Sequence, residues 1–128
     1  MTDLLIDTSL LIDSLRASPA STLFFAQVRR SHRPVIHPVV EAELIAGARD
    51  RREMRMVVRL LERFEPLPLE PVDARTSLRL LRRHRLSHGM SWEDCLLAAT
   101  ALRLKASLGT LNDKHFRAFR GLRVVRPY

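Results

Sequence analysis

Short apolar runs alternate with longer segments of helical periodicity along this chain. The apolar runs at 4–6, 35–37, 106–109 and 122–125 have the length of strands, and helical segments separate most of them. Such alternation is typical of βαβ units, in which crossover helices join parallel strands. It predicts an α/β fold, a three-layer α/β/α sandwich with a short, mainly parallel central sheet.

Capping and breaking residues set the predicted helix limits. Ser18 and Pro19 form an N-cap and first-turn pair, and Ser91 with Asp94 has the spacing of a capping box. The prolines between 65 and 71 leave room only for a loop or a very short edge strand. The predicted helices begin at 8–9 and then cover 18–30, 39–48, 51–64, 71–84 and 91–105, with a loop at 86–90.

Length and composition limit the class of protein. The chain has 128 residues, 46% of them apolar, which fills one core, so we expect a single domain over 1–128. No apolar stretch suits a membrane span, and residues 1–7 lack the basic region of a signal peptide, so we expect a cytoplasmic protein. The single cysteine, Cys95, excludes an internal disulfide and a thiolate-rich zinc site.

Positive charge is in excess. Lys and Arg number 22 against 14 Asp and Glu, which gives a net charge of +8, and all the basic residues except Lys105 and Lys114 are arginines. Arginine is well suited to bidentate contact with phosphate. The excess predicts a polyanionic or an acidic protein partner, although solvated helix surfaces account for part of it.

Two polar segments directly follow predicted strands. Asp7 comes after the first strand, with Thr8 and Ser9 beside it, and Thr110 to Asp113 come after a later one. The carboxyl ends of parallel strands meet at one edge of a sheet, where ligands bind. Asp7 is therefore a candidate functional residue, and capping of the following helix is the alternative interpretation.

Further acidic residues lie on predicted helices. Asp94 shares a helical face with Ala98 and Ala101, so its carboxylate points along the apolar stripe, where an unpaired charge is costly. A bound metal ion would stabilise this charge, and a structural cap at the rim of the core is the alternative. Glu41 and Glu43 flank the buried line of their helix on opposite sides, and periodicity does not choose between them.

Oxygen donors at one sheet edge, without thiolates, suit a hard cation such as Mg²⁺ or Mn²⁺. His84 and His88 straddle a predicted helix end and make a poor zinc pair. We interpret His32, His37 and His115 as exposed or hydrogen-bonded strand and turn residues. The chain has no GxxxxGK[ST], GxGxxG or GxSxG motif, which excludes P-loop nucleotide hydrolysis.

Four segments place these candidates among characteristic neighbours: Leu4–Ile12, Val39–Gly47, Glu93–Ala101 and Thr110–Phe116. In this order they resemble the PIN-domain nucleases, and more narrowly the VapC toxins of type II VapBC toxin–antitoxin modules. The resemblance implies a metal-dependent endoribonuclease that cleaves RNA phosphodiester bonds with Mg²⁺ or Mn²⁺. It also implies a homodimer and a cognate VapB-like antitoxin, a segment of which covers the active groove.

The resemblance implies roles for individual residues. Asp7 matches the first metal-binding Asp of the family, with Thr8 and Ser9 as supporting polar residues. Glu43 matches the acidic residue of an E-L-x-x-G pattern. Asp94 matches the acid that heads a D-x-x-x-A-A helix.

The fourth acidic position of the family is altered here. Asn112 stands two residues after the supporting Thr110, where many PIN domains carry Asp, and Asp113 follows it. Either Asn112 contacts the metal through its carbonyl or a water, or Asp113 turns inward, so both are catalytic candidates. Two alternatives remain: a catalytically weak RNA-binding PIN-like module, which Asn112 suggests, and a protein-interaction domain whose acids are caps.

Overall fold

A five-stranded, entirely parallel sheet forms the middle of the molecule. The computed structural model describes residues 1–128. The strand order is β3-β2-β1-β4-β5, and all four pairings are parallel, so the predicted α/β fold is confirmed. The strands are β1 (Thr2–Ile6), β2 (His32–Ile36), β3 (Glu65–Pro66), β4 (Ser107–Gly109) and β5 (Arg123–Val125).

Helices connect the strands and flank the sheet. None of them combines the length and apolarity that a membrane-spanning helix needs. They are α1 (Thr8–Leu15), α2 (Pro19–Gln27), α3 (Pro38–Gly47), α4 (Arg51–Leu61), α5 (Pro71–His88), α6 (Trp92–Leu104) and α7 (Asp113–Phe116), and a 3₁₀ turn (Val28–Arg30) follows α2.

The central strand β1 determines where a site can form. Leu4, Leu5 and Ile6 are buried, as expected for a strand covered on both faces. From β1 the chain passes to β2 on one side and later returns to β4 on the other, so the strand order reverses between β1 and β4. The Asp7 N–H donates to the Gly109 carbonyl at 2.9 Å, which ties the ends of the two strands together. A crevice beyond such a reversal is where open parallel sheets bind ligands.

Side-chain caps start four of the helices, α2, α3, α4 and α6. Ser91 Oγ accepts from the Asp94 N–H at 3.1 Å, and Ser18 Oγ accepts from the Ser21 N–H at 3.3 Å, as the sequence predicts. His37 is fully buried, and its Nδ1 accepts from the N–H two residues later at 2.9 Å. It is therefore the cap of α3 rather than part of a strand.

The end of α5 differs from the sequence prediction. The helix continues to His88, through most of the segment expected to be a loop, so His84 and His88 lie on one helix and not across its end. Gly89 then adopts a left-handed conformation (φ +64°), and its N–H donates to the Arg85 carbonyl at 2.9 Å. Glycine takes this conformation without steric cost, which is why the helix stops there and not earlier.

Helix α4 is shorter than predicted, because it ends at Leu61 rather than at Phe64. The apolar stripe misled the prediction because Phe64 is buried although it lies beyond the helix. Its ring packs edge-on against Phe25, with 5.3 Å between the ring centroids. The turn after Leu61 thus keeps the apolar contact while the chain enters β3.

An ion pair between an exposed arginine and a buried carboxylate joins α5 to α6. Asp73 is only 1% exposed, and Arg103 donates to both of its oxygens, at 2.7 and 3.0 Å. Thr100 adds a third hydrogen bond at 2.9 Å. Trp92, at the start of α6, donates its indole N–H to Ser77 Oγ on α5 at 2.9 Å. These contacts hold α5 and α6 together as an antiparallel pair. They thereby fix the position of the first turn of α6, which carries Asp94.

Candidate functional site

The residues predicted from the sequence come from four segments around the crevice between β1 and β4. Asp7 follows β1, and Thr110 follows β4. Glu43 lies on α3, and Asp94 lies in the first turn of α6. Asp7 and Asp94 both act electrostatically on Glu43, so the three carboxylates share one region of the molecule.

Two hydroxyl groups hold the Asp7 carboxylate. Ser9 Oγ and Thr110 Oγ1 both donate to Asp7 Oδ2, at 2.9 and 2.7 Å. Each hydroxyl has one proton and so accepts its other hydrogen bond from backbone: Ser9 from the Leu111 N–H (3.1 Å) and Thr110 from the Asn112 N–H (2.9 Å). This arrangement leaves Asp7 Oδ1 without a protein partner.

Asp7 does not act as a helix cap. It occupies the N-cap position of α1, yet its side chain makes no capping hydrogen bond. The alternative interpretation of Asp7 as a cap is therefore wrong. Its carboxylate is instead held by two hydroxyls on Oδ2, while Oδ1 has no protein partner.

Asp94 lies at the rim of the core and not inside it. Its side chain is 29% exposed. Asp94 therefore lies on the same helix face as the apolar residues, as predicted, but at the edge of the core where solvent reaches its carboxylate. His115 Nε2, on α7, lies 2.8 Å from Asp94 Oδ2. Sequence reasoning missed His115, because its contact with Asp94 joins residues 21 positions apart and no periodicity signals it.

Glu43 lies in a groove beside the other two carboxylates. Although the side chain is exposed overall, partial burial raises the pKa of its carboxyl, and the negative charges of Asp7, Asp94 and Glu93 raise it further. The neighbouring Thr8 hydroxyl offsets part of this rise in pKa. Such a rise is expected wherever carboxylates lie close to one another.

Glu41 faces elsewhere. It lines a separate groove between α3 and α4 together with Val58 and Phe64. The geometry therefore separates the two glutamates that periodicity left equivalent, and Glu43 is the one beside Asp7 and Asp94.

Asn112 and Asp113 differ sharply in their surroundings. Asp113 Oδ1 pairs with Arg126 and its Oδ2 with Arg117, each at 3.1 Å. The hydrogen bond from Arg126 is the largest of the effects that hold the pKa of Asp113 below its ordinary value. Asn112 is exposed, and its side chain makes no hydrogen bond. Both oxygens of Asp113 are thus committed, whereas the Asn112 amide is free.

The donor set fits a hard divalent cation that keeps part of its water shell. The available donors are carboxylate, amide and hydroxyl oxygens, and Thr8 Oγ1 is buried without a hydrogen bond of full geometry. No three acidic, histidine or cysteine side chains already surround a common point as metal ligands. Mg²⁺ is usually bound through one or two carboxylates, waters and substrate phosphates, so it does not need such a closed cage.

Comparison with known proteins identifies the family of this chain. Residues 4–122 match the PIN domain family model. The chain is 38% identical to Ribonuclease VapC10 of Mycobacterium tuberculosis over 94% of this chain and 90% of that protein. It is 35% identical to Ribonuclease VapC19 of the same organism over 90% of this chain and 93% of that one.

A solved structure shows the same fold. VapBC from Salmonella typhimurium, crystallised bound to DNA, includes a chain that superposes with a TM-score of 0.84 at 21% identity, and the match covers 100% of both chains. The likeness covers every element from β1 to β5. Together with the sequence matches, it shows that this chain belongs to the PIN-domain family and, within it, to the VapC ribonuclease toxins of VapBC toxin–antitoxin modules.

Proposed function

We propose that this ribonuclease is a metal-dependent endoribonuclease whose Mg²⁺ or Mn²⁺ is held chiefly by Asp7 and Asp94, with Glu43 at the third position. The observation that supports this most directly is that Ser9 and Thr110 both donate to Asp7 Oδ2 and leave Oδ1 without a protein partner, in the region that Asp7 shares with Asp94 and Glu43. Carboxylates from three distant segments repel one another there, and a divalent cation would relieve that repulsion. The substrate is RNA.

When bound, the ion would act as a Lewis acid toward the phosphate and would lower the pKa of a coordinated water. Ser9 and Thr110 hold Asp7 through Oδ2, which leaves Oδ1 as the oxygen that would bind the ion. The Glu43 carboxylate would accept the proton of the attacking water.

Asn112 takes the fourth position in this proposal, and Asp113 supports the loop. The free Asn112 amide can accept from a metal-bound water through its carbonyl oxygen or donate to a phosphate oxygen through its nitrogen. Asp113 instead joins the start of α7 to the C-terminal segment through Arg126. A neutral fourth residue would give a second metal ion fewer anionic ligands than the first.

We further propose a homodimer and a cognate VapB-like antitoxin as partners. A groove of about 400 Å³ between α1, α3 and α4 opens beside Glu43 and combines apolar with basic lining residues: Ile12, Leu15, Met56, Arg16, Arg49 and Arg52. An acidic or amphipathic antitoxin segment suits this lining. Solved structures that share the fold are toxin–antitoxin complexes, which supports the assignment.

The test is cleavage of a mixed RNA pool by the purified protein in Mn²⁺, in Mg²⁺ or in chelator, with the new RNA ends mapped by sequencing. We expect new internal ends in either metal and none in chelator. Equal cleavage in chelator would contradict the metal mechanism. RNA binding without cleavage in any metal would favour the catalytically weak RNA-binding module, which the neutral Asn112 already suggests.

The contact of His115 with Asp94 gives a second prediction. Replacing His115 with phenylalanine removes the hydrogen bond that orients Asp94, and we expect the Mn²⁺ concentration needed for half-maximal cleavage to rise about 10–100-fold. The Mn²⁺ concentration needed for half-maximal thermal stabilisation should rise by the same factor, and this measurement reports metal binding independently of activity.

Two further variants control this experiment. His115→Gln keeps a donor near Asp94 and should recover part of the metal affinity. His32→Gln, at the opposite end of the sheet, should behave as the parent protein. If His115→Phe leaves the Mn²⁺ dependence of both cleavage and melting unchanged, His115 does not position Asp94.

A further inference from the structure

One exposed side of α5 carries only positive charge. The helix contains five arginines and a single acidic residue, Asp73, which is buried against α6. At 3.6 residues per turn, the side opposite the buried residues is occupied by exposed arginines. These residues define the α5 basic face: Arg75, Arg79, Arg82 and Arg83.

No carboxylate neutralises this face. Five other arginines of the protein form ion pairs with Asp or Glu, but none of the four on the α5 basic face does. The one side-chain contact among them is from Arg79 to the Thr76 hydroxyl, at 3.2 Å. The fifth arginine of the helix, Arg85, donates to the Met90 carbonyl at 3.0 Å and is therefore used to close the helix end.

The C-terminal half of α5 lies on the same side of the molecule as α7. The His84 ring, on the buried side of α5 opposite the arginines, packs on Phe119 with 5.1 Å between ring centroids, and Phe119 lies four residues after His115. Three residues, 89–91, then lead into the first turn of α6, which holds Asp94. From Arg82 the basic face runs back along the helix for about 10 Å to Arg75.

We propose that the α5 basic face binds the sugar–phosphate backbone of the RNA substrate on one side of the cleaved bond. This inference rests on the proposed function, because it extends the path of the RNA away from the site at Asp7 and Asp94. Guanidinium groups spaced along one helix face match a polyanionic backbone, and such contacts position the RNA without reading its sequence.

Charge complementarity favours RNA over the other occupants. A second copy of this chain would bring like charges together on this face. An amphipathic protein segment needs an apolar groove, and such a groove lies elsewhere, between α1, α3 and α4. Leu86, which is 99% exposed, stands alone at the end of the face and forms no pocket for a peptide side chain.

The α4 helix provides a matched comparison. Arg51, Arg55 and Arg59 are also exposed and form no ion pairs. However, residues 50–62 contain three acidic residues for four arginines, so the local potential is weaker than along α5. A triple Arg-to-Gln change on either helix removes the same formal charge from the protein.

The experiment compares the two triple variants in RNA binding, with chelator present so that no cleavage occurs. We expect Arg75→Gln/Arg79→Gln/Arg82→Gln to weaken binding of a long single-stranded RNA about 100-fold at 0.1 M salt. The slope of log affinity against log salt should fall by about 2, as expected for three lost phosphate contacts. The α4 triple variant should change affinity less than about threefold.

Cleavage kinetics supply the second readout. With Mn²⁺, the α5 triple variant should raise KM for the long RNA and leave kcat unchanged, and it should cleave a short oligonucleotide that spans only the mapped site as the parent does. Equal losses of RNA affinity in both triple variants, or no loss in the α5 variant, overturn the proposal. So does weaker binding of an acidic antitoxin peptide together with unchanged RNA affinity.

The proposed function and this inference fail separately. If the parent protein binds RNA through α5 but cleaves none in any metal, the endoribonuclease mechanism fails and the docking surface stands. If the parent cleaves RNA and the α5 variant binds and cleaves it equally well, only the docking surface fails.

Discussion

Replacing Asp7 with asparagine is expected to lower metal-dependent RNA cleavage by more than about 100-fold while leaving the fold intact. The asparagine carbonyl can still accept from Ser9 and Thr110, which now donate to Asp7 Oδ2. The amide group then occupies the position of Oδ1 and cannot bind a cation. The variant therefore removes a charge at the metal position without breaking the hydrogen bonds that hold β1 to β4.

Melting in the absence and presence of Mn²⁺ separates a lost ligand from a lost fold. Without metal, Asp7→Asn should melt at or above the parent temperature, because it removes one of the charges that raise the pKa of Glu43. With Mn²⁺, the parent should be stabilised and the variant much less so. Asp13→Asn is the control: it changes a carboxylate outside the site that accepts a hydrogen bond from the Tyr128 hydroxyl, and it should keep full activity. An Asp7→Asn protein as active as the parent would end the case for this site.

Replacing Arg103 with methionine is expected to lower the free energy of unfolding by about 3–5 kcal/mol. Asp73, which is 1% exposed, would then keep a single hydrogen bond, from Thr100. A buried carboxylate without its cation bears most of its desolvation cost. Denaturant unfolding should show this loss, and the double variant Asp73→Asn/Arg103→Met should recover part of it. Arg30→Met, at an exposed arginine without an ion pair, should stay within about 0.5 kcal/mol of the parent.

The ion pair between Asp73 and Arg103 also predicts how the free energy of unfolding depends on pH. Burial acts to raise the pKa of Asp73, but hydrogen bonds from Arg103 and Thr100 outweigh it and leave the pKa below its ordinary value. In the parent, this contribution to stability is present above about pH 4 and is lost as the pH falls through the lowered pKa. In Arg103→Met the hydrogen bonds and charge of Arg103 no longer lower this pKa, so the stabilisation above about pH 4 should shrink. The free energy of unfolding should therefore rise less between pH 3 and pH 7 in the variant than in the parent, and an equal rise would contradict this account.

The parts of the site that local pattern controls were predictable from the sequence. Asp7 directly follows a buried strand, and Asp94 stands three residues after a capping serine, so chain position alone places both at the correct ends of their elements. The parallel sheet followed in the same way from the alternation of apolar runs with helices. The resemblance to known nucleases then chose Glu43 over Glu41, and this choice stays a prediction; in the structure Glu41 faces another groove.

Contacts between distant residues were not predictable in this way. His115 contacts Asp94, and Arg126 forms an ion pair with Asp113, only because the fold brings α6, α7 and the C-terminal segment together. The helix limits failed for a related reason. Phe64 is part of the core but lies beyond the end of α4. A periodic apolar pattern shows that a residue is buried, but it does not show whether that residue is still helical.

The hydroxyl pair around Asp7 has a consequence for biosynthesis. Ser9 and Thr110 are 101 positions apart, yet both hold the Asp7 carboxylate. A nascent chain that still lacks β4 also lacks Thr110, so it cannot yet fix Asp7 in its final geometry. The order of strands across the sheet thus makes this part of the candidate site one of the last to be completed during synthesis.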